Sequence, residues 1–251
     1  MLKTRVIPTV LWRNENTVKG KGFDSWRNVG VLLPTIKVYN LRQVDELIVL
    51  DIIATKENRQ PDLKTVSEFA RECFVPLTVG GGIKSVSDVK GLLRAGADKI
   101  CLNTQAVKDP SLVTKIANSF GSQCVVVSID AKKVGGKYLV TTNSGSCVTK
   151  KTVRDWAREA ELLGAGEIMI TSIEKDGTME GYDLDLVAEV TRSVSIPVIA
   201  SGGAGKYEHF KQVISKCAVS AVAASAMFIF TEATPRSAKL YLSEQGVKVR
   251  L

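Results

Sequence analysis

The chain has 251 residues, of which 45% are hydrophobic and 24% charged, and this composition excludes a disordered or fibrous protein. No apolar run reaches the roughly 18 residues that a membrane helix needs, and the N-terminus lacks the apolar core of a signal peptide, so we expect no membrane partner. The formal net charge of +8 comes from dispersed basic residues without an aromatic–basic motif, which favours an anionic small molecule or an acidic protein over nucleic acid.

Short β-branched runs alternate with longer amphipathic runs along the chain. Strands are predicted near residues 5–11, 46–51, 75–79, 98–102, 124–130, 167–171, 196–200 and 219–223. Helices are predicted near residues 35–43, 61–73, 86–95, 110–118, 152–163, 184–193, 206–216 and 235–245. Eight such βα units predict an α/β fold, a single (β/α)8 TIM barrel over residues 1–251, with an open doubly wound sheet as the alternative.

Two segments between these elements, residues 12–30 and 135–150, are predicted to be mobile. Lys19-Gly20-Lys21-Gly22 in the first segment indicates either a flexible basic lid or an ordinary solvated loop. The sequence alone favours neither interpretation.

The two halves of the chain resemble each other. Residues 78–84 are echoed by residues 199–206, so the pair Gly81 and Gly82 recurs as Gly202 and Gly203. Further matches follow in the same order: residues 6–11 with 125–130, 45–51 with 166–172, and 103–104 with 224–225. This repeat favours closure of the sheet, because two homologous half-barrels of four units each complete one barrel.

Active sites of such barrels lie at the C-terminal ends of the strands. A Gly-rich turn after an apolar strand exposes backbone N–H groups that suit an anion, and two such turns predict a small molecule with a phosphate at each end. The residues of the two predicted phosphate cradles are Gly82, Asn103 and Thr104 in one, and Gly177, Gly203, Ala224 and Ser225 in the other. The remaining pocket residues are predicted to be Lys19, Asp51, Thr171, Asp176 and Ser201.

Asp130 follows an apolar strand and is the candidate general acid or base, with a structural Asp bonded to loop amides as the alternative. Asp51 and Asp176 are weaker candidates, since either could cap a loop. The single histidine, His209, is predicted to lie on the surface of a helix, so carboxylates must supply any acid–base chemistry. The five cysteines lack metal-ligand spacing and are predicted to be reduced core residues of a cytoplasmic protein, with no metal and no cofactor.

Four charged residues lie at the starts of predicted strands, at the opposite end of the barrel: Arg5, Glu46, Lys99 and Glu167. Two-residue alternation can bring them together as a ring of two cations and two anions. The ring is either a plug of salt bridges that closes the barrel floor or a gate into the interior.

Taken together, these motifs resemble the HisF family, the cyclase subunits of imidazole glycerol phosphate synthase. The resemblance covers nearly the whole chain and is carried by a set of motifs: Arg5-Val-Ile-Pro8, Val79-Gly-Gly-Gly-Ile83, Gly96-Ala-Asp-Lys99, Ile129-Asp-Ala-Lys132, Asp176-Gly-Thr178, Ala200-Ser-Gly-Gly-Ala-Gly-Lys206 and Gly246-Val-Lys-Val-Arg250.

The resemblance implies a lyase of histidine biosynthesis that works in a glutamine amidotransferase complex. A HisH-type glutaminase would dock on the N-terminal face, near Asp98 and Gln123, and the four-residue ring would gate its ammonia into the barrel. Asp130 would match one of two catalytic carboxylates, and the Gly, Asn, Thr and Ser residues named above would match phosphate contacts. The product would be imidazole glycerol phosphate, formed together with an aminoimidazole carboxamide ribotide.

One departure from the family concerns the chemistry itself. The family places its second catalytic carboxylate at the end of the first strand, in a Pro-Cys-Leu-Asp pattern, whereas this chain has Pro8-Thr9-Val10-Leu11. Leucine cannot move a proton, and losing one positioned acid–base group costs roughly 10²–10⁴-fold in rate. A branch of HisF paralogues with Leu at this position accompanies an amidotransferase that builds acetamidino groups on bacterial surface polysaccharide sugars. The resemblance to that branch implies an ammonia-conducting subunit with weakened or lost cyclase chemistry.

Overall fold

A computed structural model describes residues 3–251. The strands are β1 (Arg5–Arg13), β2 (Asn16–Lys21), β3 (Asp24–Val31), β4 (Leu47–Asp51), β5 (Leu77–Gly80), β6 (Lys99–Leu102), β7 (Val125–Val134), β8 (Lys137–Thr142), β9 (Cys147–Thr152), β10 (Glu167–Ser172), β11 (Val198–Ser201) and β12 (Ala221–Ala224). The helices are α1 (Leu32–Leu41), α2 (Leu63–Ala70), α3 (Val86–Arg94), α4 (Thr104–Lys108), α5 (Ser111–Phe120), α6 (Val153–Leu162), α7 (Leu184–Thr191), α8 (Tyr207–Cys217), α9 (Ala226–Phe230) and α10 (Pro235–Glu244).

Eight parallel strands close into a barrel. Their order around the barrel is β1, β4, β5, β6, β7, β10, β11 and β12, and β12 pairs with β1 to complete the ring. The helices of the βα units cover the outside, so the strands are buried on both faces and read as near-continuous apolar runs. The predicted (β/α)8 fold is confirmed, and each predicted strand and long helix has its counterpart. The short helices α4 and α9 were not predicted.

The two segments predicted to be mobile form β-hairpins, which the sequence did not predict. Strand β2 continues the sheet from β1, with Leu11 opposite Val18, and β3 pairs with β2. Strand β8 continues from β7, with Asp130 opposite Thr141, and β9 pairs with β8. Each hairpin therefore extends a barrel strand past the C-terminal rim, and backbone pairing to that strand fixes it there.

The barrel interior forms a separate apolar layer. Its members are Ile7, Ile48, Cys101, Val126, Met169, Ile199, Ala221 and Ala223, all at most 7% exposed. Because side chains alternate along a strand, residues two positions away on the same strands also face the barrel axis. This alternation places the charged strand starts below the apolar layer and the residues of the C-terminal rim above it.

The strand register refines the internal repeat. Leu11 lies opposite Leu50 and Asp130 lies opposite Thr171, so positions 11 and 130 are equivalent, as predicted. The match of residues 103–104 with 224–225 is off by one. Asn103 and Ser225 occupy the same position, because each is the residue before a five-residue helix and has similar backbone angles (φ −128° and −130°).

Three other sequence expectations concern membrane helices, metal groups and cysteines. In the described part of the chain, no helix has the length and apolar character needed to cross a membrane. Residues 3–251 contain no group of three or more His, Cys, Asp or Glu side chains arranged to hold a metal ion. All five cysteines are free, but Cys147 is exposed at the start of β9, so the prediction of a core position is wrong for that residue.

Candidate functional site

A cavity of about 280 Å³ opens at the C-terminal ends of the barrel strands. It is lined by every residue that the sequence predicted for the pocket: Leu11, Lys19, Asp51, Gly82, Asn103, Thr104, Asp130, Thr171, Asp176, Gly177, Ser201, Gly203, Ala224 and Ser225. Parallel strands carry their C-terminal ends to one rim, which is why residues far apart in sequence converge here.

Both glycine turns at the rim require glycine. Gly82 has φ +72°, and a Cβ there would lie 2.8 Å from the carbonyl oxygen of Arg59. Gly203 has φ +109°, and a Cβ there would lie 2.1 Å from the carbonyl oxygen of Gly181. Backbone in this region with no side chain leaves its N–H groups open to a close ligand, as phosphate-binding turns do.

The two residues that precede α4 and α9 differ in what their side chains contact. The Asn103 amide donates to Asp130 Oδ2 at 2.8 Å, and the Thr104 hydroxyl accepts from the backbone N–H of Asn143 at 2.9 Å. The Ser225 hydroxyl has no hydrogen-bond partner within residues 3–251. The second cradle therefore has an uncommitted donor, while the first is tied to Asp130 and to the β8–β9 turn.

Asp130 is the titratable group with chemistry suited to neutral pH. Burial raises its pKa from 3.8 to about 7, a hydrogen bond from Ser128 opposes the rise, and the negative charge of Asp176 adds to it. Its carboxylate accepts from Asn103, and Ser128 Oγ lies 3.4 Å from Oδ1. A carboxyl group with such a pKa can both give and take a proton near pH 7.

Leu11 occupies the equivalent place on the other half-barrel. Leu11 is 8% exposed and lines the same cavity. It lies two residues beyond Thr9 on β1, and Thr9 pairs with Ile48 of β4. The isobutyl group of Leu11 therefore places apolar surface at the position that the Asp130 carboxyl group occupies in the other half-barrel.

Two further carboxylates of the pocket are already paired. Lys19, which is only 2% exposed, donates to both oxygens of Asp176 at 2.8 and 3.0 Å and so links the β2–β3 hairpin to the loop after β10. Asp51 accepts from the backbone N–H groups of Ile53 and Ala54 and from Arg59 at 3.0 Å. Asp51 thus caps its own loop, as its alternative interpretation held.

The four charged strand starts meet at the N-terminal end of the barrel. Arg5 contacts Glu46 at 2.7 Å and Glu167 at 2.6 Å, and Lys99 contacts each glutamate at 3.0 Å. Thr78 also donates to Glu46, at 2.8 Å. Burial alone would lower the pKa of Arg5, but the charges and hydrogen bonds of both glutamates raise it. In this arrangement the ring is closed and electrically neutral.

The same end of the molecule presents the residues expected near a partner. Asp98 and Gln123 are exposed, and Asp98 also accepts from the backbone N–H of Leu77 at 2.8 Å. Large apolar side chains are exposed at this end too, where helices or loops lead into strands: Leu41 at 84%, Phe74 at 82% and Leu162 at 87%.

Sequence reasoning missed several cavity residues. Phe23 and Trp26 of the β2–β3 hairpin line the cavity, and so do Thr9 and Ser128 inside the barrel. The hairpin was predicted as a loop, so its inward side chains could not be identified. Thr9 could have been found, because it lies two residues from both Ile7 and Leu11 on one face of β1.

Comparison with known proteins identifies the relatives of this chain. The family profile described as "Histidine biosynthesis protein" matches residues 5–232. The chain is 48% identical over 251 residues to the imidazole glycerol phosphate synthase subunit HisF of Chlorobium phaeobacteroides (strain BS1), with 100% of both chains covered. It is 46% identical to the subunits of the same name from Chlorobaculum parvum and Clostridium botulinum (strain Okra / Type B1), again over 100% of each chain.

Proposed function

This chain belongs to the HisF family, and from that premise we propose that it is the barrel subunit of a glutamine-dependent ammonia-delivery complex. It docks a HisH-type glutaminase on its N-terminal face and passes ammonia through the barrel to the C-terminal cavity. The acceptor we propose is an acetamidino-forming amidotransferase that acts on surface polysaccharide sugars in the cytoplasm, where the five free thiols fit a reducing compartment.

The observation that carries this proposal is the contrast between the two ends of the barrel. At the C-terminal end, Leu11 stands where the repeat calls for a partner acid to Asp130. At the N-terminal end, all four members of the charged ring are present and bonded to one another. A chain whose cyclase chemistry is weakened or lost, but whose ring is complete, fits ammonia passage better than ring formation in a substrate.

The N-terminal face has the composition of a docking surface. Leu41, Phe74 and Leu162 expose apolar area beside the polar groups of Asp98 and Gln123. Apolar anchors with polar groups around them are typical of protein–protein interfaces. We propose that the glutaminase covers this face and that Asp98 and Gln123 lie near its edge.

The C-terminal cavity is proposed to keep a phosphorylated ligand. One phosphate binds at Gly82, Asn103 and Thr104, and the other at Gly177, Gly203, Ala224 and Ser225. The support is the pair of open glycine turns and the uncommitted Ser225 hydroxyl. Lys19, Asp51, Thr171, Asp176 and Ser201 form the rest of this proposed pocket.

A second candidate function is the cyclase reaction itself, which the names of the relatives support. In that case the chain converts the phosphoribulosyl aminoimidazole intermediate and ammonia to imidazole glycerol phosphate and the ribotide. Asp130 would act alone as acid and base, for which its pKa of about 7 is suitable. The cavity would then be a working active site rather than a ligand-binding end of a conduit.

The test is to mix the purified chain with the HisH-type glutaminase encoded in the same genome. We expect a one-to-one complex by sedimentation and faster glutamate release than from the glutaminase alone. Phe74→Asp should abolish both effects, because it puts a charge into the proposed interface at a side chain that is 82% exposed. Val148→Asp, at a 47% exposed residue of β9, is the matched control and should change neither. Absence of both complex and stimulation from the unmodified chain rules out the proposal.

A further inference from the structure

One hydroxyl inside the barrel lacks a protein partner. Thr9 is 7% exposed and lines the deep part of the cavity, yet within the described chain its Oγ1 has no hydrogen-bond partner. Native proteins satisfy nearly all buried polar groups, either by protein groups or by an ordered small molecule such as water, because an unmade hydrogen bond costs stability. A hydroxyl that faces a cavity without a protein partner therefore points to such a molecule.

The position of Thr9 is defined by the alternation along β1. Arg5 belongs to the charged ring, Ile7 to the apolar layer, and Thr9 and Leu11 line the cavity. Thr9 is thus the first polar group of β1 above the apolar layer. On β7, Val126, Ser128 and Asp130 repeat this order, with Ser128 Oγ 3.4 Å from Asp130 Oδ1.

We infer that the Thr9 hydroxyl anchors a binding site for one small, neutral, hydrogen-bonding molecule, and that ammonia occupies it on its way to the cavity. The inference rests on the proposed function and adds the place where ammonia stops after the apolar layer. Ammonia has a lone pair that accepts from the hydroxyl and N–H groups that donate to it. No bond is made or broken at this site.

The surroundings select for the neutral molecule. Below Thr9 the interior consists of apolar side chains such as Ile7, Ile48 and Met169, each at most 2% exposed. Moving a small ion through such surroundings is far more costly than moving a neutral molecule of the same size.

In the first experiment the threonine methyl groups of the chain are isotope-labelled. Ammonium chloride is then added stepwise, and the methyl resonances are followed by NMR. Thr9→Ser removes one methyl signal and so assigns it. We expect the Thr9 signal to shift and saturate at alkaline pH, where much of the added ammonia is neutral. It should not shift at acidic pH with the same total concentration. Thr171, which also faces the cavity, is the internal reference.

A Thr9 signal that does not respond, or that moves in parallel with Thr171 at both pH values, overturns the inference. If the signal is unresponsive while a crystal structure shows ordered solvent at Thr9 Oγ1, the site holds water only, and this too overturns the role in ammonia passage.

The second experiment compares the thermal stability of Thr9→Val and Thr9→Ser. Valine keeps the shape and removes the hydroxyl. If a molecule is bound at the hydroxyl, Thr9→Val should leave Tm unchanged or lower it, and Thr9→Ser should behave like the unmodified chain. A rise of more than about 3 °C in Thr9→Val would mean that the hydroxyl is unsatisfied, which contradicts the site.

Neither experiment needs the glutaminase, so the two ideas can fail separately. Ammonia binding at Thr9 without glutaminase stimulation would refute the proposed function and leave the site established. Stimulation of the glutaminase without ammonia binding at Thr9 would support the proposed function and refute the site.

Discussion

At the scale of single residues, equivalent positions of the two half-barrels carry different chemistry. Asp130 is held by Asn103 and Ser128 in surroundings that raise its pKa to about 7. Leu11 at the matching position on β1 offers no proton and no charge. A reaction that needs an acid on one side of a substrate and a base on the other cannot be completed by this pair.

The first prediction concerns that pair. We expect the purified chain, supplied with ammonium and the family substrate, to show turnover roughly 10²–10⁴-fold below that of relatives with both acids. Leu11→Asp should recover part of this rate, because Asp130 and the other residues of the cavity are already in place. Leu11→Asn, with a similar shape and no titratable group, is the control. A native rate equal to that of Asp-bearing relatives would show that Leu11 does not limit the chemistry.

The second prediction follows from the pKa of Asp130. Its folded-state pKa of about 7 lies above the unfolded value of 3.8, so between these pH values the folded chain holds a proton that the unfolded chain has lost. Stability from this group is therefore complete below about pH 4 and is lost as pH rises toward 7, with a slope of at most about 1.4 kcal/mol per pH unit. Asp130→Asn should remove this slope from denaturant unfolding curves, and Asp24→Asn, at an exposed aspartate, should not. Parallel curves for the native chain and Asp130→Asn would refute the raised pKa.

The structure brings together the residues that the sequence places where strand ends meet. All the predicted pocket residues line one cavity, since closure of a parallel barrel brings the residues after each strand together. Thr9 was missed although its two-residue spacing from Ile7 and Leu11 indicated an inward position, and the choice between the two interpretations of Asp51 needed its contacts with Ile53 and Ala54.

At the scale of elements, the two hairpins are what distinguish the rim from a plain barrel. Their sequences carried a usable signal: Gly135 and Gly136, with φ of +56° and +80°, form a turn before the β-prone run of β8. High polarity in β3 and β9 masked this signal, because strands that stand above the barrel are solvated and lack the apolar character of buried strands.

The β2–β3 hairpin is held over the cavity from two sides. Lys19 pairs with Asp176 in a buried position, and the Arg27 guanidinium lies 4.2 Å from the ring centre of Phe230 on α9. The backbone N–H of Gly22 also donates to the Asp176 carbonyl at 2.9 Å. This geometry fits a lid in its closed position, with Phe23 and Trp26 facing the cavity.

The third prediction tests the Lys19–Asp176 contact as the fastener of this lid. In Lys19→Met we expect hydrogen exchange of residues 16–31 to quicken markedly, while the barrel strands keep their protection, because the hairpin then loses the buried ion pair with Asp176. Lys21→Met, two residues away at an exposed lysine, should leave exchange unchanged. Equal protection of the hairpin in both variants would mean that backbone pairing with β1 alone holds it.

At the scale of the whole molecule, one apolar layer separates the charged ring at the N-terminal end of the barrel from the cavity at the C-terminal end. The ring of two cations and two anions has no net charge and is closed, because each cation contacts both anions. Glu46 is fixed by three donors, Arg5, Lys99 and Thr78, whereas Lys99 is held by the two glutamates. Movement of Lys99 would leave both contacts of Arg5 with the glutamates in place and would open one side of the ring.

The last prediction separates a gate from a plug. A structural plug should lose roughly 3–5 kcal/mol of unfolding free energy in Lys99→Met, since removing one partner of a buried pair leaves the other uncompensated. We expect a smaller loss, of about 1 kcal/mol, because Arg5 still contacts both glutamates and Lys99 itself is partly exposed, at 17%. In the complex with the glutaminase, Lys99→Met should change stimulated glutamate release several-fold, while Lys248→Met, an exposed lysine beside the start of β1, should not. A large loss of stability together with unaltered glutamate release would identify the ring as a plug, and the route of ammonia would then have to be sought outside the barrel axis.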